Sequence, residues 1–181
     1  MDRKLSRHVM RNGSEHESLA EASHDAWIHL YRSNAFSREI QISYYLEAEL
    51  GIFCLDAELR RRSKGKHGIC DLMAKLCEKY ALGYPNTTKL GVDYKDIRKE
   101  LVNMEGGRNL GMYLDDMVYS KSAPEITHAL EFYGLGLTSK INQDKTPSLS
   151  WLGLNISDKA GRVTVSSHQS NSTLRNLIMP G

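Results

Sequence analysis

Apolar residues in the first 137 positions recur mainly at intervals of three and four, which is the spacing of one face of an α-helix. The pattern predicts about six helices. They span about Glu17–Arg32, Ile40–Arg62 and residues 69–81, with three shorter helices after Asp93, Asn109 and Ser122. The third helix has one apolar face, formed by Ile69, Leu72, Met73, Leu76, Cys77 and Tyr80.

The second of these helices is predicted to lie at the centre of the bundle, because it is apolar on two sides. One side carries Leu46, Leu50, Cys54 and Ala57, and the other carries Ala48, Ile52, Leu55 and Leu59. A helix of this kind must be covered by its neighbours.

The spacing of apolar residues changes after residue 137. The strings "LGLTSKI", "WLGLNIS" and "RVTVSS" are short β-type runs separated by Asn, Asp, Gly and Pro. The predicted fold class is therefore mainly α, a helical bundle of about six helices followed by a short β-containing segment. Residues 1–15 are polar and predicted to be disordered or partner-dependent, residues 16–137 helical, and residues 138–181 a separate segment.

Composition excludes several classes of protein. Lysine and arginine total 24 against 22 acidic residues, so the net charge of +2 predicts no nucleic-acid partner. The run Arg60-Arg61-Arg62, with Lys64 and Lys66, closes a predicted helix and suits its dipole. No apolar run reaches the roughly 18 residues of a membrane span. The N-terminus lacks the apolar core of a signal peptide, so the default expectation is a cytoplasmic chain, although the natural compartment is unknown.

The sequence contains no complete active site. Cys54, Cys70 and Cys77 lie in helical patterns and are predicted to be small buried hydrophobic residues. The string "HESLA" begins like the zinc motif H-E-x-x-H, but Ala20 stands where the second histidine is needed. No metal site and no cofactor are predicted in this chain.

Three strings are similar to a known family: "SLAEASHDAWIHLYR", "ISYYLEAELGIFCLDAELRRRSKGK" and "GICDLMAKL". They resemble the C-terminal half of the glycyl aminopeptidase family of zinc metallopeptidases, over about residues 17 to 137. The resemblance implies hydrolysis of N-terminal Gly or Ala from peptides by the full-length enzyme. It places the zinc and its H-E-x-x-H helix upstream, so the expected partners are an upstream catalytic half and a peptide substrate. This chain alone is expected to be inactive.

The resemblance also implies a role for one tyrosine. In the wider superfamily, a tyrosine just before "x-K-G" donates its hydroxyl to the oxyanion of the tetrahedral intermediate. The aligned residue is Tyr45, although Glu47 and Ala48 replace the Lys and Gly of the pattern. Two alternatives remain open: that Tyr44 has this role, or that both rings only pack in the core.

Members of the family often carry a PDZ domain after the helices, and residues 138–181 resemble the first half of one. The string Trp151-Leu152-Gly153-Leu154 resembles the loop that holds the terminal carboxylate of a peptide, with Leu152, Gly153 and Leu154 as the expected binding residues. The end of the chain is therefore expected to be an incomplete PDZ domain. Two other functions remain open, a non-enzymatic helical or PDZ-like binding module and the remnant of a decayed gene.

Overall fold

The computed structural model describes residues 16–29, 32, 42–82, 91–138, 152–159, 161–168, 172, 174 and 177. Most of these residues are helical, so the prediction of a mainly α protein is confirmed. The α-helices are α1 (Leu19–His24), α2 (Ala26–His29), α3 (Tyr44–Arg62), α4 (Ile69–Cys77), α5 (Tyr94–Val102), α6 (Leu110–Tyr119) and α7 (Thr127–Phe132). A π-helical turn, Glu78–Leu82, follows α4, and the strands are β1 (Leu154–Lys159) and β2 (Arg162–His168). None of the described helices is long and apolar enough to cross a bilayer.

The prediction of one helix over Glu17–Arg32 is wrong, because the structure has two short helices, α1 and α2, within this range. α1 begins after Ser18, whose hydroxyl accepts a hydrogen bond from the Glu21 backbone N–H, while the Glu21 carboxylate accepts one from the Ser18 N–H. This capping box satisfies two backbone donors of the first turn. α1 ends at His24 and is followed by Asp25, a residue type that favours caps and turns over helix interiors, and α2 is a separate short helix.

The central helix α3 is closed by a buried serine. The Ser63 hydroxyl donates to the His67 carbonyl at 3.1 Å and accepts from the His67 N–H at 3.0 Å. The predicted start of α3 at Ile40 is wrong, because Ile42 and Ser43 are not helical.

The basic residues at the end of α3 are paired within the helix. Arg60 Nε donates to Asp56 at 2.7 Å, and Arg61 and Arg62 both donate to Glu58. Their charges are therefore largely satisfied locally, in agreement with a structural role for this run.

The chain divides into two compact units. One comprises Glu49–Val118 with Pro124–Leu137, and the other comprises Met1–Ala48, Tyr119–Ala123 and Thr138–Gly181.

The core of the first of these units lies among α3, α4, the π-helical turn, α5 and α6. It consists of Leu55, Leu59, Leu72, Leu76, Tyr80, Leu101, Met104, Leu110 and Leu114. Four predicted core residues are instead exposed, namely Ile52, Cys70, Met73 and Cys77. Along α4 and the π-helical turn the buried stripe runs through Leu72, Leu76 and Tyr80 at steps of four, and this leaves the neighbouring faces to solvent.

The loop between α5 and α6 requires a glycine. A Cβ atom at Gly107 would lie 1.8 Å from the Leu101 carbonyl oxygen, which is too close for any side chain. The two adjacent glycines in "EGG" therefore allow the chain to turn against the end of α5.

The β segment is an antiparallel hairpin. β1 pairs with β2, with an irregular register between Asn155 and Ile156. Gly161 has φ of 80° in the turn, and its N–H donates to Asp158 Oδ1 at 3.0 Å. Two of the three predicted strands are thus present. The third predicted strand, "LGLTSKI", is wrong over residues 135–138, because these residues form no strand. The rest of this predicted strand lies outside the described residues.

Candidate active-site residues

Tyr44 and Tyr45 form the start of α3, but only Tyr45 faces outward. Tyr45 is 69% exposed, whereas Tyr44 is half-buried. Their ring centroids are 4.2 Å apart, with the ring planes inclined at 31°. The hydroxyl of Tyr45 therefore lies on an accessible ring and is not enclosed by the core of the described residues.

The two residues after Tyr45 are directed inward. Leu46 and Glu47 are both less than a tenth exposed. The Glu47 N–H donates to the Ser43 carbonyl at 2.9 Å, the first intrahelical bond of α3. A buried carboxylate thus occupies the position where the resembled family has a lysine.

The entry to α3 is tied to the beginning of α1. The Glu17 carboxylate accepts a hydrogen bond from the Ile42 N–H at 3.3 Å. Lys121 Nζ also donates to the His16 carbonyl at 3.1 Å and lies 3.4 Å from Glu21. These contacts anchor the backbone that presents Tyr45.

The described residues offer no metal-ligand set. No group of three or more His, Cys, Asp or Glu side chains within the described ranges is arranged to hold a metal ion. His16 and Glu17, the residues that begin like a zinc motif, precede α1 and are not on a helix together. These residues therefore do not fit a zinc ion, and no catalytic step can be assigned to one here.

The candidate carboxylate loop runs from Leu152 to Leu154. Gly153 is buried with φ of 65°, and a Cβ atom there would lie 2.8 Å from the Ser172 Cβ. The Ser172 hydroxyl donates to the Leu152 carbonyl at 2.7 Å and so braces the loop. Leu154 is buried and begins β1. Trp151, the first residue of the predicted loop, lies outside the described residues.

Sequence reasoning missed a pocket of about 680 Å³ between α3, α6 and α7. Its lining includes Cys54, which was predicted only as a core residue, and His128, which no motif singled out. The available signal was the charge pattern Glu125, His128, Glu131, at steps of three in the sequence.

Comparison with known proteins gives one family match. Residues 1–50 match the family described as M61 glycyl aminopeptidase. Tyr44 and Tyr45 both lie inside this range. No curated protein matches the chain significantly.

The fold also has a solved relative. The crystal structure of an aminopeptidase N family protein from Idiomarina loihiensis is similar to 98% of this chain, with a TM-score of 0.79 and 20% sequence identity. This chain spans 31% of the length of that protein. At this identity the match establishes a shared fold.

Proposed function

We propose that this chain is the C-terminal helical part of a zinc-dependent aminopeptidase of the glycyl aminopeptidase type. The complete enzyme would hydrolyse N-terminal Gly or Ala from peptides. The observation that carries the proposal is the exposed Tyr45 within residues 1–50, which match that family. The fold of the larger aminopeptidase N family protein supports it independently.

Tyr45 is the residue through which this chain would act on substrate. A neutral hydroxyl that donates to a developing oxyanion stabilises the transition state more than the substrate. Tyr44 is half-buried, and adjacent residues on a helix point about 100° apart, so only one of the two can serve. The greater exposure of Tyr45 favours it as the donor.

The zinc of the complete enzyme would be held by residues that precede this chain. Zinc in such enzymes polarises the scissile carbonyl and activates water. The contribution of the chain itself is then the Tyr45 hydroxyl and the helices that hold it. The partners are accordingly the upstream catalytic half and the peptide substrate.

The proposal assigns residues 16–137 to the catalytic domain and residues 138–181 to the start of a PDZ domain. In the second part, Leu152, Gly153 and Leu154 would receive a peptide carboxylate, and β1 would offer an edge for strand pairing. The braced loop and its positive-φ glycine are compatible with this role.

The test is to extend the reading frame upstream of Met1, express the extended protein and assay it. We expect an in-frame H-E-x-x-H, one bound zinc per chain, and release of Gly or Ala from short peptides. Alanine replacement of the first motif histidine is the matched control, and it should abolish both zinc binding and hydrolysis. Stop codons or an extended protein without peptidase activity would contradict the proposal and favour a gene remnant or a binding module.

A further inference from the structure

The helix start at Tyr44 and Tyr45 leaves the Tyr45 side chain with rotational freedom. These are the first two residues of α3, so no turn of α3 precedes them. Inside a helix, the preceding turn excludes one of the three χ1 rotamers of a long side chain. That restriction is absent in the first turn, and the Tyr45 side chain is 69% exposed. Core packing therefore constrains the orientation of this ring little.

The backbone that carries Tyr45 is nevertheless held in place. The Ile42 N–H donates to the Glu17 carboxylate at 3.3 Å, and the Glu47 N–H donates to the Ser43 carbonyl at 2.9 Å. The Glu47 side chain is buried. The freedom that remains at Tyr45 is thus rotation of its side chain about χ1 and χ2.

The ring of Tyr44 contacts the ring of Tyr45. The ring centroids are 4.2 Å apart and the ring planes are inclined at 31°, which is closer to stacking than to an edge-on contact. Adjacent helical residues point about 100° apart, so this contact requires the two side chains to turn toward each other. Tyr44 is half-buried, and this burial restricts its own ring. Tyr44 can therefore hold the more exposed ring.

The chemistry proposed for Tyr45 requires such support. A hydrogen-bond donor stabilises an oxyanion most effectively when it is already in place, because no reorganisation is then needed during the reaction. A phenol that samples three staggered χ1 wells equally occupies the productive one about a third of the time. Loss of the supporting ring should therefore lower kcat at least about threefold, and more if the hydroxyl is also displaced within the productive well.

We infer that Tyr44 is a positioning residue, whose ring holds the Tyr45 hydroxyl in the orientation that the reaction uses. The inference rests on the proposed aminopeptidase function, in which Tyr45 is the oxyanion donor. It assigns a role to the aromatic ring at position 44 that a side chain engaged only in packing does not have.

The first test is a double-mutant cycle in the extended protein, where Tyr44→Leu removes the ring and Tyr44→Phe keeps it. Tyr44→Leu should lower kcat on a Gly or Ala peptide by about three- to tenfold with little change in KM. Tyr44→Phe should match the unmodified enzyme. In a Tyr45→Phe background, Tyr44→Leu should lower kcat no further, because no hydroxyl is left to position.

Two kinetic results overturn the inference. One is an unchanged kcat in Tyr44→Leu. The other is an equal loss of kcat with and without the Tyr45 hydroxyl, which is the result expected if the Tyr44 ring only supports the fold. Tyr44→Met is a second variant without the ring and should behave as Tyr44→Leu does, and circular dichroism verifies that each variant is folded.

The second test uses NMR of the 181-residue chain and needs no substrate. The three-bond Hα–Hβ couplings of Tyr45 should report one staggered rotamer in the unmodified chain and in Tyr44→Phe, and a rotamer average in Tyr44→Leu. The matched control is Tyr94→Leu, which removes a half-buried ring from the first residue of α5. It should leave the Tyr45 couplings unchanged. Averaged couplings in the unmodified chain, or couplings that Tyr44→Leu does not alter, overturn the inference.

The two tests separate this inference from the proposed function. An extended protein without peptidase activity, or with an unchanged kcat in Tyr45→Phe, contradicts the proposed function. The couplings then still decide whether the Tyr44 ring holds the Tyr45 ring. An active enzyme that needs the Tyr45 hydroxyl but not the Tyr44 ring overturns the inference alone.

Discussion

At the residue scale, exposure separates the two adjacent tyrosines. Tyr44 is half-buried while Tyr45 is 69% exposed, although sequence alone allowed both to be core rings. Leu46 and Glu47 take the inward positions of the same turn. Removing the hydroxyl of an exposed tyrosine at the start of a helix costs the protein little stability. The contribution of the Tyr45 hydroxyl to chemistry can therefore be measured separately from its contribution to folding.

In the complete enzyme, Tyr45→Phe should lower kcat by about 10²–10³-fold with little change in KM, because an oxyanion donor acts mainly in the transition state. Tyr44→Phe is the control and should be nearly silent. Steady-state kinetics on an N-terminal Gly or Ala substrate measure both, with circular dichroism to verify the fold. An exchange of the two effects would move the donor to Tyr44. Loss of stability without loss of kcat would mean that the rings only pack.

Glu58 makes stability depend on pH in a defined range. Hydrogen bonds from Arg61 and Arg62 lower its pKa from 4.5 to about 2. Because the folded state holds the carboxylate ionised, this stabilisation is complete above pH 4.5 and is lost as pH falls through about 2. Urea unfolding between pH 5 and pH 2 should show a steeper loss for the unmodified chain than for Glu58→Gln. Parallel curves would show that the ion pairs contribute nothing to folding.

At the element scale, α3 carries buried side chains along most of its length. Leu50, Cys54, Leu55, Ala57 and Leu59 are all nearly inaccessible, so neighbours cover this helix on more than one side. Its ends are set by local chemistry, with paired basic residues and the buried Ser63 closing the C-terminal turn. The bundle should therefore be sensitive to a cavity in the middle of α3.

Leu50→Ala should reduce the free energy of unfolding by about 2–5 kcal/mol, because Leu50 is only 3% exposed. The matched control is Ile52→Ala on the same helix, where 38% exposure predicts a smaller loss. Urea melts followed by circular dichroism compare the two variants. A loss below about 1 kcal/mol for Leu50→Ala would show that α3 is not central.

At the scale of the whole molecule, the described residues hold a candidate oxyanion donor but no metal-ligand set. The chain spans 31% of the solved aminopeptidase N family protein. An oxyanion donor without the zinc centre has no polarised carbonyl on which to act. The proposed peptide hydrolysis therefore requires residues in addition to those described here.

The purified 181-residue chain should therefore hold less than one zinc per molecule after dialysis and should not hydrolyse Gly or Ala peptides, since the residues that the structure describes form no ligand set. Metal analysis by atomic absorption, together with a peptide-release assay, measures both quantities. The extended protein described above provides the positive control. One tightly held zinc with hydrolysis by the chain alone would defeat this prediction.

The sequence by itself determined the helical class, the centrality of α3, the start of α5 directly after Asp93 and two of the strands. These features follow from the local spacing of apolar residues and from helix capping, and both depend only on residues that are close together in the sequence. It also located Tyr45, through a resemblance to a family that the comparison of residues 1–50 supports. Its role as a donor remains a prediction.

Only the tertiary structure decided which apolar residues are covered. Met73 and Cys77 have helical spacing but are exposed, because the elements packed on α4 contact its Leu72 and Leu76 face. The pocket likewise joins α3 with residues 125–132, more than sixty positions later in the chain. Contacts at such separations depend on how helices pack against one another, and the period of a single helix carries no information about its partner.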